Sequence, residues 1–189
     1  MHVLRVVRVL LAVLIVAAIV GAGSSVLSAR PDLQKAKRNV DSSWSELAPR
    51  LDRRYDLLTK VDLELRPIAG PVHALVGDVD GALTQWRDTR AHSGVAAQVG
   101  AANNVEAVAR RLVATASVSP RVRNNAAALT ALSPFLADSA NADSGAGFNQ
   151  NVTSYEQERR GPVRTLIASV LGDGSIPILD TTATPSSAS

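Results

Sequence analysis

No cysteine occurs in the 189 residues of this chain. That excludes a disulfide framework, a thiolate metal site, a cysteine nucleophile and a lipidated cysteine anchor. It leaves the redox compartment open, because exported and cytoplasmic proteins can both lack the residue. Aromatic residues are nearly as scarce: two Trp, two Tyr and two Phe, 3% of the chain. So few rings argue against an aromatic-rich β-sandwich and against single-strand nucleic-acid binding, which needs aromatic stacking platforms. The only histidines are His2, His73 and His92, with no i,i+4 pair and no H-E-x-x-H, so zinc hydrolysis has no support in the spacing. No G-x-S-x-G elbow is present. Asp78-Val79-Asp80-Gly81 begins like a calcium loop, but Ala82 and Leu83 follow, and Arg87 stands where a closing Glu is needed. Gly172-Asp173-Gly174-Ser175 lacks the Lys and the flanking strand of a phosphate loop. Nothing in these patterns calls for a cofactor, a metal or a small-molecule substrate.

What is present is unevenly placed. Lys plus Arg is 20 and Asp plus Glu is 17, a net charge of +3. Residues 1–60 hold 10 basic against 5 acidic side chains, and residues 61–189 hold 10 against 12. The positive charge belongs to the N-terminal third, and a basic end beside an apolar run points to a membrane surface before a nucleic acid.

That apolar run is residues 9–29, which carry no charge, and residues 9–20 have no polar atom in any side chain. As a helix it would span about 31 Å, close to the hydrocarbon thickness of a bilayer. A retained transmembrane anchor at residues 1–29 is the expectation, since the uncharged stretch is long enough to cross. A cleaved signal peptide is the alternative, with small-residue sites at Ala22-Gly23-Ser24 or Val26-Leu27-Ser28. Arg5 and Arg8 precede the run, and Arg30, Lys35, Lys37, Arg38 and Arg50 follow it, so the charge rule leaves the membrane side of the remaining chain open. Arg30, Lys35, Lys37 and Arg38 lie near the expected membrane edge and are expected to meet anionic lipid headgroups.

Beyond residue 30 the apolar positions recur at helical spacing. Leu33, Ala36, Val40, Trp44, Leu47, Leu51, Tyr55, Leu58, Val61 and Leu65 advance by three or four residues each time, which predicts one long amphipathic helix, kinked at Pro49. Glu46/Arg50, Asp56/Lys60 and Asp62/Arg66 are acid-first i,i+4 pairs on it. A second stripe, Val72, Leu75, Val76, Val79, Leu83 and Trp86, predicts a helix over 72–91. A third runs from Val95 through Val99, Ala102, Val105, Ala109 and Leu112 to Ala116. A fourth starts after Pro120 and passes Val122, Ala126, Leu129 and Leu132, with Ser133-Pro134 as a point of restart. Phe148, Val152 and Tyr155 resume the pattern until Gly161-Pro162, and residues 163–171 allow one more short helix. No segment alternates with period two at convincing length. The fold class expected is therefore all-α: an N-terminal transmembrane helix followed by an antiparallel four-helix bundle over residues 30–172, with a disordered tail at 173–189.

Two runs on the first bundle helix carry a resemblance. Asn39-Val40-Asp41-Ser42-Ser43-Trp44-Ser45, then Leu51-Asp52-Arg53-Arg54-Tyr55-Asp56-Leu57-Leu58, resembles the LemA family signature, an N-V-x-x-A-W run followed by R-R-x-D-L-I. Pro120 with Asn124 or Asn125 resembles that family's connection between its third and fourth helices, and Phe148-Asn149, Val152 and Tyr155-Glu156 its later Tyr-Asn steps. Thr59-Lys60-Val61 replaces the family's Pro-Asn-Leu, which makes the resemblance that of a divergent member. It implies a short N-terminus, one membrane span and a helical domain. Asp138 falls near a family Glu on the fourth helix, and it is expected to pair with Arg53 or Arg54 across the bundle.

The functional expectation is a single-pass protein of the cell membrane, displaying a non-catalytic helical bundle that binds an unidentified protein partner. An enzyme sited inside the bundle would need inward-facing ionisable residues clustered at one depth, and the stripes hold almost none. A nucleic-acid binder would need a basic face on the bundle, which the acidic balance beyond residue 60 disfavours.

Overall fold

The computed structural model describes the backbone of residues 2–138, 141–161, 164–165, 168–169 and 174–180, and side chains within those ranges from residue 31 onward, apart from 141–144. Its described elements are helices without a strand: α1 (His2–Leu65), α2 (Pro71–His92), α3 (Val95–Val118), α4 (Pro120–Arg123), α5 (Ala126–Ala137) and α6 (Asn141–Arg159). The chain is all-α. Among the described residues no helix is long and apolar enough to cross a membrane. The uncharged run 9–29, on which the anchor expectation rests, lies outside the residues whose side chains are described, as does Arg30.

The long stripe on α1 faces inward at every expected position, from Leu33 at 1% exposure to Leu65 at 0%. Burying each large aliphatic side chain there contributes roughly 1.5–3 kcal/mol. The helix continues through Pro31 and Pro49. Pro49 sits on the exposed side, so water can serve the carbonyl that loses its partner, while Leu47, Ala48 and Leu51 hold the inner side in place. Of the acid-first pairs on this helix, Asp62 and Arg66 meet at 2.7 Å.

α2 packs chiefly on α3, and α1 packs on α6, α5 and α2. The connection between α2 and α3 is only Ser93 and Gly94, short enough to force the two helices side by side. All six aromatic residues are in the core: Trp44, Tyr55, Trp86, Phe135, Phe148 and Tyr155. Trp44 makes an edge contact with Trp86 at 6.4 Å between centroids and a tilted one with Phe148 at 5.1 Å. Tyr55 meets Trp86 edge-on at 5.1 Å. Trp86 of α2 thus bridges two rings of α1 about three turns apart, and Trp44 carries the contact on to α6.

Beyond residue 119 the structure corrects the expected layout. A single fourth helix does not form. Asn124 and Asn125 interrupt it, and the Asn125 side chain caps α5 by accepting the Ala128 amide. The new cap resets the helical phase. Ala128, Leu132 and Phe135 turn inward, while Ala126 and Leu129, expected in the stripe, are exposed. Pro134 lies inside α5 and starts nothing. The chain leaves α6 through Gly161 at φ +113°, a left-handed backbone that suits glycine. The short helix expected at 163–171 lies largely outside the described residues.

The tail is also corrected. The disordered tail expected at 173–189 includes residues 174–180, yet Ile176 and Leu179 there are 4% and 3% exposed. Two buried apolar side chains and six hydrogen bonds to its backbone hold this segment against α3 and α6. Low complexity begins only after Asp180, and residues 181–189 lie outside the described ones.

Candidate functional site

Among the described residues, three polar side chains are buried in the bundle: Arg54, Asp62 and Gln98. Arg54 comes from the middle of the inward stripe of α1. Its Nε donates to Glu106 Oε1 at 2.9 Å and its Nη2 to Glu106 Oε2 at 3.3 Å. Its Nη1 donates to the carbonyls of Phe135 at 3.2 Å and Asp138 at 2.9 Å. The guanidinium also lies over the Phe135 ring, 4.3 Å from its centroid. One residue of α1 thus ties α3 to the C-terminal end of α5, where carbonyls lack helical partners and a cation is favoured.

This corrects the expected Asp138 pair. Residue 138 does receive a bond from Arg54, but through its backbone carbonyl, and the carboxylate across the interface is Glu106 on α3. Arg53, one residue away, points outward and is exposed. Asp56 and Asn39 are exposed as well. Tyr55 is buried beside the pair and donates to the Ala102 carbonyl at 3.3 Å. Burial holds its phenol well above the ordinary value of 10.0, and the neighbouring Glu106 carboxylate adds to the effect.

A second set of bonds reaches the start of α3. Trp44 Nε1 donates to Gln98 Oε1 at 2.7 Å, and Gln98 Nε2 donates to the Ser93 carbonyl at 2.7 Å. Trp86 Nε1 donates to Asp52 Oδ1 at 3.0 Å, and Arg90 lies 3.4 Å from the other Asp52 oxygen. The two indoles therefore cross-link α1 to α2 and α3 by hydrogen bonds as well as by ring contact. Sequence reasoning missed Gln98 and Glu106. Their signal is that both are polar residues flanking an otherwise small and apolar stripe on α3.

Of the expected headgroup residues, Lys35 and Arg38 are exposed, and Lys37 is bound to Asp41 at 2.6 Å. Pro120 is exposed at the first position of α4. Asp78 faces Arg111 at 3.5 Å, and Asp80 lies 3.9 Å from Arg66. Among the described residues no group of three or more acids or histidines is placed to hold a metal.

Two concave features among the described residues bear on function. A half-open groove of about 370 Å³ between α1 and α6 is lined in part by Ser43, Glu46, Arg50, Gln150 and Asn151. Among the described lining residues its one carboxylate, Glu46, has no second acid or imidazole to work with. The other feature is the cleft between α3 and α6 that holds residues 174–180. Asn149 takes both polar groups of Leu179, its N–H and its carbonyl, each at 2.8 Å. Asn103 takes the Ile178 carbonyl at 2.8 Å and the Asp180 N–H at 2.7 Å. Glu156 accepts the Ile176 N–H at 3.0 Å, and Tyr155 donates to the Gly174 carbonyl at 3.3 Å. Arg110 meets the Asp180 carboxylate at 2.6 Å. Compared with protein-family models, curated proteins and solved structures, the chain matches none.

Proposed function

We propose that this chain is a membrane-anchored helical-bundle module of the LemA type that binds another protein and has no catalytic activity of its own. The observation that carries this reading is how the inward polar groups are used. Arg54, Glu106, Gln98, Trp44 and Trp86 are engaged in bonds from helix to helix, and such groups set register and hold elements together. A catalytic base or nucleophile would instead need a free partner and room for a substrate. The uncharged run 9–29 and the basic residues after it support the anchor. The runs around Trp44 and Arg54 support the family reading.

Alkaline extraction of membranes from cells expressing the full chain tests the anchor. The chain is expected to stay in the pellet with residues 1–29 intact; release together with loss of those residues means an exported bundle freed by signal cleavage. Cross-linking in the same membranes tests the binding role, and the expected result is a specific protein adduct to the bundle. Labelling an introduced Ser187→Cys, with no background thiol, reports the membrane side.

A further inference from the structure

The cleft between α3 and α6 treats residues 174–180 as an extended strand. The polar groups of Leu179 itself point to Asn149 on α6, and the flanking Ile178 carbonyl and Asp180 N–H point to Asn103 on α3. Successive peptide groups of an extended chain face opposite edges in this way. Two side-chain amides therefore stand where two neighbouring strands would be. The spacing supports it. Asn149 and Glu156 are seven residues apart on α6, a rise of about 10.5 Å. The residues they bind, Leu179 and Ile176, are three apart in extended chain, about 10 Å. The segment runs antiparallel to α6. On α3, Asn103 and Arg110 are again seven apart and face the same segment.

Most of this grip is blind to sequence. Six bonds go to backbone atoms of residues 174–180, and any extended segment without proline at the three donor positions presents those atoms. Selectivity comes from the two buried side chains, Ile176 and Leu179, and from Arg110 facing Asp180. Pro177 and Ile178 are exposed. Arg110 also keeps a buried nitrogen, Nη1, with no hydrogen-bond partner among the described residues, so the resident segment leaves donor capacity unused.

We propose that this cleft is a binding site for an extended segment of another protein, with two apolar residues three apart followed by an acid, and that residues 174–180 occupy it as an exchangeable resident. The proposal deepens the interaction-module reading and rests on it. A second copy of this chain is the weaker occupant. Its identical segment makes the same contacts but competes with one tethered to α6 through residues 160–173, whose local concentration is high. A foreign segment whose acid reaches both terminal nitrogens of Arg110 has a contact the resident lacks, because the resident Asp180 meets Nη2 while Nη1 has no hydrogen-bond partner among the described residues.

The test uses the full chain in detergent micelles and a labelled, amidated hexapeptide Ser-Ile-Pro-Ile-Leu-Asp, the sequence of residues 175–180. Ile176→Glu with Leu179→Glu expels the resident. The peptide is expected to bind this variant at least thirtyfold more tightly than the wild-type chain, whose cleft is filled, and adding Asn149→Ala is expected to cut binding tenfold or more. No binding to the expelled variant, with its helical circular dichroism and melting temperature kept, overturns the proposal. If that variant does not fold, hydrogen exchange on the wild-type chain decides. Amides of Leu179 and Asp180 protected at least a hundredfold less than those of Val105 and Val152 support exchange of the resident, and equal protection overturns it. Concentration-dependent dimerisation of the wild-type chain that Leu179→Glu abolishes makes a second copy the occupant and overturns the foreign segment. Failure here with membrane retention and protein adducts intact removes the cleft and spares the anchored-module reading.

Discussion

Arg54 and Glu106 face each other across the α1–α3 interface through two parallel hydrogen bonds, 2.9 and 3.3 Å long, with their side chains 10% and 12% exposed. The pair has little contact with solvent, so losing one partner strands a charge. Glu106→Ala is expected to destabilise the bundle by about 3–5 kcal/mol in urea unfolding. Asp138→Ala is expected to change it by less than about 0.5 kcal/mol, because residue 138 contributes a backbone carbonyl. A large Asp138 effect, with a small one at Glu106, would restore the carboxylate pairing that the sequence suggested.

Trp44 gives a separate test of the α1–α3 contact. Trp44→Phe keeps an apolar ring but removes the donor to Gln98. The expected cost is about 1–3 kcal/mol, from the lost ring area and from a Gln98 oxygen left with only the longer bond from Arg90 Nη1 at 3.4 Å. Gln98→Leu in the same background should recover part of it, as measured by a double-mutant cycle.

Tyr55 makes stability fall at high pH. Its phenol is held above the ordinary value in the folded chain by burial, so the unfolded chain ionises first as pH rises past about 10. The contribution is whole below that pH and is lost as pH climbs toward the raised folded value. Melting temperatures of the wild-type chain between pH 8 and 11 should drop more steeply than those of Tyr55→Phe. Parallel curves would show that the phenol has no part in the alkaline loss.

The basic residues at the start of the bundle differ in what they can offer a lipid. Lys35 and Arg38 are exposed, whereas Lys37 is engaged with Asp41. Lys35→Gln and Arg38→Gln should each weaken binding of residues 30–189 to anionic vesicles by roughly fivefold, about 1 kcal/mol per charge. Lys37→Gln should do less. Binding that ignores the anionic lipid content would remove headgroup contact from the reading.

Periodicity made the inward faces legible and left their partners obscure. The ten apolar positions from Leu33 to Leu65 are all buried, since a helix with one apolar stripe has one way to turn. The same pattern cannot say which helix lies opposite. The motif leaves Arg53 and Arg54 both open as partners of Asp138, whereas it is Arg54 that turns inward and the carboxylate it meets is Glu106 on α3. The fourth stripe slipped because Asn125 restarts the helix, and the count carried across it assumed unbroken phase. Residues 174–180 escaped because their attachment is through backbone atoms, which composition does not record. The paired polar positions at seven-residue spacing, Asn103 with Arg110 and Asn149 with Glu156, were the available trace.

The bonds to residues 174–180 also set an alphabet for each position. An amide proton is used at residues 176, 179 and 180, so proline is excluded there, while position 177 already carries one. Position 178 contributes only its carbonyl and is 57% exposed, so nearly any side chain fits. Positions 176 and 179 are restricted to apolar residues of about the present size. Among chains descended from this one, the segment is free to drift at 178 while its attachment to the helices stays constant.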